Sequence, residues 1–199
     1  MIDKWSCTDV NGYELRTDRL RGSLVSIQAF QGTICSVKDA EYVINKINGK
    51  TPDYVEKAHK TLRKLSNRLE EVIKHLDWKD FEILIDLIFR QAGWQRVSNI
   101  GGSQKTIDLD LISPVTKRRY AVQVKSQADL ATFKNYMDEF KDMQGYYQIY
   151  FAVHSPSENL KSYSSKEESE TFKVELLLPH RIAELALKLG LTNWILDKF

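Results

Sequence analysis

Asp108 and Asp110 stand two apart in the run Thr106-Ile107-Asp108-Leu109-Asp110-Leu111-Ile112. Gln123 and Lys125 stand two apart in Tyr120-Ala121-Val122-Gln123-Val124-Lys125. A spacing of two puts both members of each pair on one face of a strand. The turn residues from Ser113-Pro114 to Arg119 join the two runs into a hairpin. A turn centred near residues 116 and 117 sets Asp110 across from Gln123 and Asp108 near Lys125, while Ile107, Leu109, Leu111, Val122 and Val124 point into a core. One sheet face then presents two carboxylates, an amide and an ammonium. Such a set suits phosphodiester hydrolysis. Carboxylates hold a hard divalent cation such as Mg²⁺ through oxygen, with water and phosphate completing the shell. The cation acidifies a bound water and clamps the phosphate. An ammonium orients that water or stabilises charge developing on phosphorus. An amide oxygen can replace a carboxylate oxygen as ligand, with one negative charge fewer.

A further acid lies upstream. Asp77 can cap a helix from Trp78 to Ala92 that ends at Gly93. Phe81, Ile83, Leu84, Ile85, Leu87, Ile88 and Phe89 make that helix apolar nearly all round, so it is largely buried. Glu82 and Asp86 sit four apart on it, and burying two carboxylates costs several kcal/mol unless something pairs with them. The four histidines are scattered, and no Ser, Cys and His pattern supports a covalent nucleophile.

The elements that must position these side chains follow from period. Trp94 to Ile100, Thr106 to Ile112 and Tyr120 to Lys125 alternate with period two and read as a three-stranded antiparallel meander. A helix follows from about Ala128 to Met143, with Leu130, Phe133, Met137 and Phe140 on one face. Tyr146 to Val153 is a strand apolar on both faces, hence central. Residues 155 to 171 read as a polar loop, Phe172 to Leu178 as a strand, and Pro179 as the start of a last helix, with Trp194 to Phe199 capping the core.

Upstream, Ser23 to Phe30 and Gly32 to Val37 read as strands, and Asp39 to Asn48 as a short helix closed by Gly49. Thr51-Pro52-Asp53 opens a long helix whose apolar positions Val55, Ala58, Leu62, Leu65, Leu69, Val72 and Leu76 form a heptad seam, a candidate homodimer surface. The expected organisation is an N-terminal α/β extension (residues 1–50), a linking helix (51–76) and a main α/β domain (77–199).

The 199 residues are 42% hydrophobic and 28% charged, which argues against disorder. No apolar run is long enough to span a membrane, and Met1 to Asp9 shows no signal-peptide core. Cys7 and Cys35 do not make a disulfide framework, so a cytoplasmic setting is expected. With 29 basic and 27 acidic side chains, any nucleic-acid surface must be local.

Phe81-Glu82, the run from Gly101-Gly102 to Ile112, and Tyr120 to Lys125 together resemble the restriction-endonuclease-like PD-(D/E)XK superfamily. The Gln-x-Lys ending resembles its Mrr-type branch, in which Gln stands where other branches carry Glu. The resemblance covers roughly residues 77 to 155. It implies an αβββαβ core with a central mixed sheet flanked by helices, and an endonuclease using Mg²⁺, with Mn²⁺ as a substitute, on double-stranded DNA, often in defence against foreign DNA. It gives Glu82 the helix-borne acid, and Gln123 and Lys125 the third motif. Asp110, which leads directly into Leu111 and Ile112, fits the aspartate of the pattern, with Asp108 as a second ligand. The proline of the superfamily's name is absent, since Ile107 and Leu109 precede the two aspartates. Lys105, Lys117, Arg118 and Arg119 flank the hairpin as candidate phosphate contacts. The competing class is a non-catalytic nucleic-acid-binding or assembly module on the same fold, because Gln in place of an acid weakens metal binding. RNA is a third candidate substrate.

Overall fold

The computed structural model describes residues 7–26, 36, 39–97, 107–141, 143–163 and 174–199. The chain divides into two compact units, residues 1–61 and 62–199. In the first, a turn at Thr17–Arg19 and the helices α1 (Gly22–Val25) and α2 (Ala40–Ile47) are followed by the start of α3 (Asp53–Ile73). The strand expected from Ser23 is corrected at its start, because residues 22–25 form a helical turn whose Leu24 and Val25 amides donate to the Arg21 carbonyl. The rest of that expected strand, and most of the one expected over 32–37, lie outside the described residues.

The second unit runs α4 (Trp78–Gln91), β1 (Gln95–Arg96), β2 (Leu109–Ile112), β3 (Arg119–Ala128), α5 (Leu130–Lys141), β4 (Gln148–Pro156), α6 (Glu158–Lys161), β5 (Val174–Leu177), α7 (Pro179–Lys188) and α8 (Thr192–Leu196). The five strands lie in sequence order in one mixed sheet. β1, β2 and β3 pair antiparallel, and β3, β4 and β5 pair parallel. The reversal of direction coincides with α5, the crossover that a parallel pair requires. This is the αβββαβ order expected from the sequence, extended by one strand and three helices.

Alternation in the strands decides which helix covers which face. Leu109, Leu111, Tyr120, Val122, Ala152 and Leu177 pack with α4, α7, α8 and the end of α3. Ala121, Ile149, Phe151 and Val153 pack with α5 and α6. Ile107, expected on the same side as Leu109, packs instead with this second cluster. α6 occupies part of the expected polar loop, started by the Ser157 hydroxyl, which accepts from the Leu160 amide, and anchored by buried Leu160.

α4 begins where the Asp77 carboxylate accepts from the Lys79 amide at 2.9 Å. It stops at Gly93, whose φ of +88° lets the Trp94 amide reach back to the Phe89 carbonyl. The heptad seam of α3 is divided. Leu69 and Leu76 are buried in the unit's own core together with Ile73, whereas Leu62 and Leu65 are exposed. A dimer surface running the full length from residue 55 to 76 is therefore excluded, because its C-terminal leucines are already covered. Among the described residues, no helix is long and apolar enough to cross a membrane.

Candidate active site

The β2–β3 hairpin closes one residue earlier than expected. Ser113 and Arg118 are joined by a backbone hydrogen bond of 3.0 Å, and Ile112 pairs with Arg119. Moving the turn centre by one residue moves every cross-strand partner by two. Asp110 therefore stands opposite Ala121, not Gln123. Asp108, one residue before β2, meets Gln123: the Gln123 Nε2 group donates to Asp108 Oδ2 at 2.6 Å, and the Val124 amide donates to the same oxygen at 2.7 Å. Asp108 thus takes the place expected of Asp110, and Asp110 moves one pair closer to the turn.

Three more charged groups gather around Asp108. Burial pushes its carboxyl above the ordinary value. The Val124 amide pulls it back, Glu82 raises it, and Lys125 and Lys79 lower it. Glu82, from α4, and Lys125, from β3, thus act on Asp108 although they come from separate elements. Glu82 is shielded, with its side chain 23% exposed, and it pairs with Lys79 at 3.0 Å. The Lys125 ammonium lies 5.0 Å from the centre of the Tyr136 ring on α5, a contact that steadies a cation without neutralising it.

Gln123 is buried at 3% exposure, and its Oε1 is without a hydrogen-bond partner among the described residues. A buried amide acceptor left unmatched is costly. An oxygen-seeking cation or its water would satisfy it. Asp108, Glu82 and the Gln123 oxygen form a hard, all-oxygen donor set, and Mg²⁺ characteristically takes one or two carboxylates and fills its octahedron with water and phosphate. The residues present therefore fit such an ion. Among the described residues, no group of three or more His, Cys, Asp or Glu side chains converges to hold a metal through those types alone.

Asp110 is engaged elsewhere. Its two carboxylate oxygens receive the Arg119 Nε, at 2.8 Å, and Arg119 Nη2. It also accepts from the Tyr146 side chain. Arg119 is consequently paired, and Arg118 lies over the Tyr147 ring at 3.9 Å. Lys117 occupies the left-handed position of the hairpin turn, with φ of 55°. These three basic residues sit at the turn end of the hairpin, and Arg119, the nearest of them along the chain, lies about 13 Å along β3 from Gln123 at the usual strand rise. Lys105 and the Gly101-Gly102 pair lie outside the described residues. Asp86 belongs to a separate ion pair, 3.1 Å from Arg90 and 3.7 Å from Arg96.

Two residues near the site carry no functional expectation from the sequence, Lys79 and His154, the latter one of the four scattered histidines. Lys79 was legible in principle, because it stands three before Glu82 on a helix, the spacing of a facing pair. His154 of β4 is buried. Its ring meets Phe81 edge-on at 4.6 Å, next in sequence to Glu82, and its Nδ1 lies 2.8 Å from the Ser155 hydroxyl. Nothing in a scattered histidine signals that contact.

A sequence model of the Mrr catalytic family, described as restriction endonuclease, matches residues 73–186, more than half of the chain. The chain belongs to the Mrr-type restriction endonuclease family. The matched stretch takes in Glu82, both aspartates, Gln123 and Lys125, and it contains the whole five-stranded sheet. Among solved structures, the chain is similar to a repair endonuclease from Pyrococcus abyssi. Identity is 19% and the TM-score 0.32, over 48% of this chain and 46% of that one. The chain thus spans less than half the length of that protein. No curated protein matches.

Proposed function

We propose that this Mrr-type domain is a Mg²⁺-dependent endonuclease that hydrolyses phosphodiester bonds of duplex DNA, with Glu82, Asp108, Gln123 and Lys125 as its working residues. The observation that carries the reading is the meeting of Asp108 with Gln123, whose second amide atom is a buried acceptor without a partner among the described residues. The charges of Glu82 and Lys125 act on the same carboxylate. Asp108 takes the principal role that the family resemblance assigns to Asp110, because Asp110 is held by Arg119.

Asp108 and the Gln123 oxygen would hold the ion, and Glu82 its water shell. When bound, Mg²⁺ supplies Lewis-acid polarisation of the phosphate and a water of lowered pKa. The chain's own residues do the rest. Lys125 donates to the attacking water or to the phosphate oxygens on which charge builds. Gln123, by donating to Asp108, turns that carboxylate toward the shared space. Lys79 offsets Glu82 until a cation arrives. Restriction of foreign DNA is the biological role we infer from family membership.

Incubation with plasmid DNA tests the reading. Cleavage in Mg²⁺ or Mn²⁺, its loss with EDTA, and its loss in a folded Lys125→Ala protein are expected. Undiminished cleavage by Lys125→Ala would refute the assignment.

A further inference from the structure

Trp78 opens α4 one helical turn before Glu82, and its side chain is 63% exposed. The contrast with the other described tryptophans is sharp. Trp94 and Trp194 both pack against the core, and Trp94 sits in a ring cluster with Phe89, Tyr120 and Tyr150. An exposed apolar residue alone means little. The surroundings of this one supply the second observation. The Lys79 ammonium lies 5.3 Å from the indole centre and 3.0 Å from Glu82 Oε2. It also acts electrostatically on Asp108. One cation thus bridges a free aromatic face and the carboxylates of the candidate site. Residues four apart on a helix share a face, with their Cβ atoms about 5–6 Å apart, so the indole stands beside the place where a scissile phosphate would bind.

We propose that Trp78 is a stacking shelf for an unpaired nucleobase flanking the scissile phosphate, with Lys79 guiding that phosphate toward Glu82 and Asp108. The substrate class is then DNA carrying an unpaired base at the cleavage position, such as a flap or bubble, in preference to perfect duplex. The physical reason is that an indole stacks on the π-face of a base, and a base inside a duplex keeps both faces against its neighbours. A single-stranded base offers that face regardless of its identity, so the shelf selects structure rather than sequence. The inference rests on the nuclease reading above for the location of the phosphate.

The test separates the two claims by reading binding without cleavage. Dissociation constants are measured in EDTA for a perfect duplex and for the same duplex with a short single-stranded flap, carrying 2-aminopurine at the first unpaired position. The proteins are wild type, Trp78→Phe, Trp78→Ala and Lys125→Ala. Wild type is expected to favour the flap and to quench the 2-aminopurine. Trp78→Ala should lose about 5- to 150-fold in flap affinity, the range for removing one base–aromatic stack, bringing the flap-to-duplex ratio close to one. Trp78→Phe should keep most of the preference. Lys125→Ala should keep the wild-type flap-to-duplex ratio while failing to cut in Mg²⁺. An unchanged ratio and unchanged quenching in Trp78→Ala would overturn the shelf and leave the nuclease reading intact. A Trp78-dependent flap preference in a protein that never cuts would uphold the shelf and overturn the nuclease reading.

Discussion

Gln123 donates to Asp108 across the β2–β3 hairpin at 2.6 Å and keeps its own amide oxygen buried. The pair is a donor–acceptor clasp with one acceptor to spare. Gln123→Glu replaces the donated hydrogen bond with a second carboxylate facing the first. The expected result is a lower Tm in EDTA and a larger gain in Tm on adding Mg²⁺ than wild type shows. Saturation at about a hundred times the dissociation constant stabilises by about 2.7 kcal/mol. Thermal melts with and without Mg²⁺ check this, and identical metal responses in the two proteins would count against Gln123 as a ligand.

Asp110 and Arg119 make a structural pair, because the carboxylate is mostly shielded while the guanidinium reaches the surface. Removing the charge with Asp110→Asn is expected to lower stability by about 1–2 kcal/mol, a charge-assisted bond discounted for its exposed end. Asp108→Asn should do the reverse. The Asp108 carboxyl is pushed up by burial, so its ionised form is disfavoured in the fold at neutral pH, and a neutral isostere relieves that cost. Denaturant titrations of the two variants without metal compare them directly.

His154 sets a pH dependence of known sign. Burial holds its imidazole below the ordinary histidine value. Unfolded chains then bind a proton that the folded chain does not, between the folded value and about 6.5. The contribution of His154 is complete above that window and is lost as pH falls through it, by at most about 1.4 kcal/mol per pH unit. Melts at stepped pH should show this slope in wild type and a flatter one in His154→Leu. Equal slopes would mean that other groups carry the acid sensitivity.

The divided seam of α3 gives a packing test. Leu69→Ala removes a fully buried side chain and is expected to cost about 2–5 kcal/mol. Leu62→Ser and Leu65→Ser change exposed positions and should stay within about 0.5 kcal/mol each.

The element order was legible because the stretches around the hairpin alternate with period two and Leu130–Lys141 repeats near 3.6, while the apolar runs of Trp78–Gln91 and Gln148–Pro156 are told apart by length and by their Gly and Pro punctuation. Glu82 was legible because a carboxylate on a greasy helix needs a reason. The choice between Asp108 and Asp110 was not, since both lie on the same face and only the turn decides which meets Gln123. That turn depends on Lys117 adopting a left-handed conformation, which a lysine does not announce. The helical turn at Gly22–Val25 was hidden for another reason: four residues are too few to distinguish alternation from a single turn. Leu69 and Leu76 read as a surface seam because heptad spacing is the same whether the partner is another chain or the domain's own core.

Cleavage by Asp108→Asn and Asp110→Asn, measured side by side on one DNA substrate in Mg²⁺ at a temperature where both are folded, tests the central assignment most directly. Loss beyond about 100-fold in Asp108→Asn, more than groups behind a ligand usually cost, with Asp110→Asn still cutting, is the expected result. An inactive Asp110→Asn beside an active Asp108→Asn would contradict it.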